Sequence, residues 1–163
     1  MTHLYRLLSC LLLTVLLVSC ASTERYGAEQ PLDETVPGAT GNYRYQAWRP
    51  DSSGEFDAIK GLLDETDQLI KNGNYNAATD KLERALRIKP KYAPAWSRLS
   101  WLALQMNSPK LAVQMAKRSN SFAFSDAELE LLNWSFIRTA SKTLHDEETY
   151  SRANQKIESL RSF

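Results

Sequence analysis

The sequence has no cysteine after Cys20 and, apart from His3 at its start, a single histidine, His145. Both shortages exclude chemistry. No His or Cys pair stands at metal-ligand spacing, and nothing after residue 20 can form a disulfide within a folded domain. There is no Gly-x-Ser-x-Gly elbow, no phosphate-binding loop and no dinucleotide fingerprint. The paired acids Glu128/Glu130 and Glu147/Glu148 sit at helix starts, where they complement the helix dipole, and His145 reads as a surface residue just before a helix. The expectation is a non-enzyme with no catalytic residue, no metal, no cofactor and no small-molecule substrate. An excess of one charge is missing too: 20 Lys+Arg face 19 Asp+Glu, a formal net charge of +1. A nucleic-acid binder needs a basic face to recruit phosphates, so no nucleic-acid partner is expected. Long hydrophobic runs are also lacking. The longest, Leu7–Val18, has twelve residues, too few to span a bilayer as a stable helix.

That run has a different meaning. Met1–Arg6 is positive, the apolar stretch is short, and small residues follow it, which is the pattern of a secretory signal. The exit reads Leu17-Val18-Ser19-Cys20-Ala21. It resembles the bacterial lipobox, with Leu three residues before Cys and a small residue just before it. The resemblance implies cleavage after residue 19 and acylation of Cys20 on its sulfur and its new amino terminus. Several acyl chains hold a protein stably where one is marginal. By the sorting rule of such lipoproteins, Ala21 after the Cys implies the outer membrane, with the protein facing the periplasm. Cys10, inside the apolar run, reads as a small hydrophobe.

Residues 20–53 have linker composition, with Pro31, Pro37, Pro50, glycines at 27, 38 and 41 and a fourth at 54 just beyond, and no apolar period. The expectation is a disordered tether that extends to about 110 Å at most. One patch departs from it: Tyr43-Arg44-Tyr45-Gln46-Ala47-Trp48-Arg49. Tyr, Trp and Arg are favoured at interface hot spots, so Tyr43, Arg44, Tyr45 and Trp48 are a candidate docking motif. The alternative is that Trp48 and a tyrosine fold back onto the first helix.

From Phe56 the apolar period is helical. Ser52 with Glu55 offers a capping box, and Ile59, Leu62, Leu63, Leu69 and Ile70 form the first stripe. Asn72-Gly73-Asn74 breaks it, and Asn74 can cap a second helix bearing Tyr75, Ala78, Leu82, Ala85 and Leu86. Pro94 opens a third helix and Ser108-Pro109 a fourth. Ser125 with Glu128 is a second capping box, opening a fifth helix, and Asp146 can cap a sixth.

Gly73-Asn74-Tyr75-Asn76-Ala77-Ala78, then Leu82, Ala85, Leu86 and Pro90, resembles the second half of a tetratricopeptide repeat (TPR). Ala93 falls 34 residues after Ile59 and opens a second copy, with Trp96, Leu99, Ser100 and Ala112 in register. A third copy from Asp126 carries Leu129, Leu132 and Phe136. The resemblance implies an all-α superhelix over residues 54–163, with two clear repeats and a degenerate third hairpin as cap. Asn107, Pro109 and Phe124 depart from the pattern in the second copy, and about eight extra residues near Ser141–Asp146 depart from it in the third. In the family the partner lies along the groove of the first helices of each repeat. The matching positions here are Lys60, Leu63, Asp67, Ile70 and Lys71; Pro94, Ser97, Trp101, Leu104 and Gln105; and Ala127, Glu130, Trp134, Ile137 and Arg138. Of these, Leu63, Asp67, Ile70, Trp101, Leu104, Gln105, Trp134, Ile137 and Arg138 are the candidate partner-binding residues. Trp101 and Trp134 share one repeat position, and either they remain near solvent or they pack inside. Asp67 and Trp101 stand where a carboxylate-clamping asparagine would, so an apolar, aromatic-centred site is expected.

An acyl anchor, a long tether and a minimal TPR-like domain together resemble the outer-membrane lipoproteins that activate class A penicillin-binding proteins. That resemblance implies a periplasmic protein partner, a bifunctional peptidoglycan synthase. The alternative is a pilotin or assembly factor for a pilus, secretion system or other envelope complex.

Overall fold

The structure, a computed structural model, describes Tyr43 and residues 54–124 and 126–162. The cleavage site, Cys20, the tether apart from Tyr43, Arg44, Tyr45, Trp48 and the Ser52 and Ser125 caps lie outside the described residues. The described residues fall in one compact unit. They form helices α1 (Gly54–Lys71), α2 (Tyr75–Ile88), α3 (Ala93–Gln105), α4 (Pro109–Asn120), α5 (Ala127–Thr143) and α6 (Glu147–Arg161). None of these helices is long and apolar enough to cross a membrane. Short turns force consecutive helices antiparallel, so α1/α2, α3/α4 and α5/α6 pack as hairpins, with α2 on α3, α4 on α5 and α3 beside α5. The result is an all-α stack of three helical hairpins.

The three hairpins share one turn. At its centre stands Gly73, Asn107 or His145, each with positive φ (70°, 52° and 54°). In the first, Gly73 N–H donates to Ile70 and Asn74 N–H to Leu69; in the second, Asn107 to Leu104 and Ser108 to Ala103; in the third, His145 to Lys142 and Asp146 to Ser141. This is the Schellman closure, which satisfies carbonyls that the helix end leaves orphaned. Asn107 therefore does the work of the missing glycine, because its short polar side chain tolerates the left-handed region.

The turn positions also locate the departure in the third hairpin. Gly73 to Asn107 is 34 residues and Asn107 to His145 is 38. The helix entries Tyr92 and Asp126 are still 34 apart. The extra length is thus four residues, not eight, and it lies inside α5, which has 17 residues against 13 in α3. Four residues are about one helical turn, so the added segment keeps the same face inward. His145 is exposed and its side chain opposes its backbone conformation. His145→Gly is expected to raise stability by up to about 1 kcal/mol, read as a higher urea midpoint.

The caps follow the sequence in part. Asn74 and Asp146 accept from Ala77 N–H and Thr149 N–H. Helix α5 is capped by Asp126, which accepts from Leu129 N–H at 3.1 Å. Ser108 precedes α4 without a side-chain cap bond, its hydroxyl donating instead to Met106 O. The hydrogen bond from Thr149 holds the Asp146 carboxyl below its ordinary value of 3.8. Its contribution to α6 is therefore present above that value and lost as pH falls through the lowered one.

Small residues set the helix crossings. Ala78 of α2 and Thr66 of α1 are both fully buried, and the Thr66 hydroxyl donates to Leu62 O of its own helix. In the second hairpin Ser100 donates to Ala112 O at 2.8 Å. Ala103, Ala112 and Ala140 form a fully buried cluster where α3, α4 and α5 converge. A polar chain locks the third hairpin on the second. Asn133 of α5 donates to Ser119 Oγ and Asn120 Oδ1, at 2.8 and 2.7 Å, and Ser119 donates on to Ala93 O.

Candidate functional site

The odd-numbered helices α1, α3 and α5 present the face on which the sequence placed a partner. Much of that face is interior. Leu63, Ile70, Trp101 and Ile137 belong to the core, Trp101 at 2% exposure, and Arg138 is also buried. Trp101 meets Tyr75 of α2 edge-on, with ring centroids 6.0 Å apart, so of the two placements open to it in the sequence it takes the inner one. Trp134 is half-buried. What remains accessible on the predicted set is Asp67, Leu104, Gln105 and Trp134, all partly exposed.

The sequence reasoning passed over Arg98, which organises the middle of this face. Arg98 is the one charged residue of α3 and is only 3% exposed. Its Nε donates to Asp67 Oδ1 of α1 at 3.3 Å, tying the first two repeats together. The bond is long and Asp67 is partly in water, so its worth is modest. On the other side, the guanidinium carbon lies 4.7 Å from the centre of the Tyr43 ring, within cation–π range. The same ring lies 6.3 Å from Phe136 of α5, tilted by 34°. A tether residue thus folds back, with its ring on Arg98 of α3 and Phe136 of α5. A lone charge in an otherwise uncharged helix was the available signal, since a buried cation needs partners.

Tyr43 enters tip first. The residue as a whole is partly exposed, whereas its hydroxyl oxygen is buried with no hydrogen-bond partner among the described residues. Burial pushes the phenol up from 10.0 to about 12, against the lowering influence of Arg98 and the nearby Ser97 hydroxyl. The bound phenol is therefore neutral. Its contribution is complete below pH 10.0 and is lost as pH rises through about 12. In a tyrosinate absorbance titration, Tyr43→Phe is expected to remove the latest-titrating group; an unchanged late phase would place the perturbed phenol elsewhere.

A second concavity lies on the opposite side of α3, between α2 and α4. It holds about 470 Å³ and is floored by Leu86, Trp96, Leu99, Met106, Leu111 and Met115, with Glu83 and Arg87 at its edge. Trp96 is fixed there: its indole N–H donates to Pro90 O at 2.9 Å, and Arg118 stacks on both Trp96 and Phe122. Leu111 is 43% exposed at the rim. Among the described residues no group of His, Cys, Asp or Glu is placed to hold a metal.

Residues 69–132 match the tetratricopeptide repeat family. That span runs from the end of α1 into α5 and contains the first two of the three repeated turns. Over that span the stack of helical hairpins is TPR-like, in sequence and in architecture. No curated protein and no solved structure matches the chain.

Proposed function

We propose that the chain is an outer-membrane lipoprotein that binds a periplasmic class A penicillin-binding protein through its TPR domain and activates peptidoglycan synthesis. The observation that carries the binding half is the face of α1, α3 and α5, where Asp67, Leu104, Gln105 and Trp134 remain partly open beside the aromatic and guanidinium groups of Phe136 and Arg98. Aromatic and arginine side chains around a desolvated centre are what protein interfaces concentrate. The lipobox at Leu17–Cys20 and the linker composition after it support the anchoring half: Cys20 carries the lipid, and the tether gives the domain reach from the membrane.

Crosslinking the native lipoprotein in cells and identifying its partner tests this directly. Capture of a bifunctional synthase, and faster glycan polymerisation when the purified lipoprotein is added to that synthase, are expected. Capture of a pilus or secretion component instead would overturn the assignment in favour of an assembly factor. Removing about twenty tether residues is expected to abolish function in the cell while leaving binding in solution intact. Full cellular function after that deletion would remove the role of reach.

A further inference from the structure

We propose that Arg98, Ser97, Asp67 and Phe136 form a receptor pocket for a single aromatic side chain on an extended segment, and that the chain's own Tyr43 fills it. The inference deepens the reading above and shares its face of the domain, but it is argued from contacts within this chain alone. Two elements far apart in sequence meet on one ring, and a third holds the first of them. Arg98 of α3 offers a guanidinium face at 4.7 Å, Phe136 of α5 offers an aromatic wall at 6.3 Å, and Asp67 of α1 holds the guanidinium from its other side.

The ring packs at the margin of the core. With the ring in place the pocket's walls are buried: Arg98 is 3% exposed, and Ser97 and Phe136 are fully buried. Its polar groups are not used up. Ser97 Oγ, Arg98 Nη1 and Tyr43 Oη are all buried without a hydrogen-bond partner among the described residues. Tyr43 also belongs to no helix. It precedes α1 by 11 residues, a length that reaches about 36–40 Å when extended. A segment with the linker composition of the sequence there would present its tyrosine at roughly millimolar effective concentration. The occupant is therefore tethered and exchangeable, and a partner segment bearing an aromatic side chain must displace it. The tether is a built-in competitor for the site it leads to.

The test uses the full chain, its Tyr43→Ala variant and a fluorescein-labelled peptide of residues 38–49. The peptide is expected to bind the Tyr43→Ala chain about ten-fold tighter than the parent, the gain that follows if the pocket is open in about a tenth of parent molecules. The same peptide carrying Tyr43→Ala should bind neither chain. Equal binding of the peptide to parent and variant, or no binding to the variant, overturns the proposal. A second measurement needs no vacant pocket. With 3-fluorotyrosine at position 43 of the parent, the fluorine resonance should differ from that of the free peptide and return toward it in denaturant; a resonance identical to the free peptide's would also overturn it. Because the probe is the chain's own segment, failure here leaves the proposed synthase partner untouched, and failure to find that synthase leaves the pocket untouched.

Discussion

Replacing Trp101 with alanine is expected to destabilise the domain by about 3–5 kcal/mol, the usual cost of deleting a buried aromatic. Trp101 is 2% exposed and abuts Tyr75 across the join between the first and second repeats. Domains of this size have about 5–15 kcal/mol in total, so the variant should sit near its unfolding threshold at physiological temperature. A tryptophan held at the surface for a partner would behave differently, with an unchanged urea midpoint and a binding loss of about 1–2 kcal/mol or more. Circular dichroism through a urea titration separates the two outcomes. Trp101→Phe, which keeps an aromatic ring against Tyr75, should lose distinctly less.

Asn133→Ala is expected to cost about 2–3 kcal/mol and to loosen the third hairpin ahead of the rest. Asn133 is fully buried and donates to both Ser119 and Asn120. Removing it leaves the acceptor Asn120 Oδ1 without that donor in a low-dielectric interior, where unpaired polar groups are costly. In a repeat stack each unit leans only on its neighbours. The loss should therefore appear first as faster amide exchange in α5 and α6, with α1 and α2 still protected. Uniform acceleration across all six helices would mean that the domain opens as a single unit and that Asn133 is no hinge.

The helices and their turns were legible in the sequence because local chemistry decides them. Asn74 and Asp146 cap where they were expected to, Pro94 and Pro109 open helices, and Gly73 takes the left-handed turn. The added turn of α5 was not legible as such. Its inner face is built from Ser135, Thr139, Ala140 and Ser141, all buried, so no apolar stripe marks it. Ser135 avoids part of the polar penalty by donating to its own helix at Leu132 O. The same extra length in a loop and in a helix reads alike when the side chains are small and polar.

The candidate face was half legible. The repeat register predicted which helices form it, and the structure brings α3 and α5 side by side with Asp67 of α1 reaching Arg98. Register could not say how far Trp101, Leu63, Ile70 and Ile137 sink into the core, because burial is set by how closely neighbouring hairpins pack. Nor could it place Tyr43. A tether tyrosine has no period to follow, and its site depends on Arg98 and Phe136, which lie 38 residues apart and meet only in the folded stack.

The central claim is that this scaffold acts by contact through the face of its odd-numbered helices. A photo-crosslinking amino acid placed at Lys71, exposed at the end of α1, or at Leu111, exposed beside the opposite concavity, tests that claim in living cells. The account predicts a specific protein adduct from Lys71 and none from Leu111. An adduct from Leu111 alone, or from neither position, would contradict it.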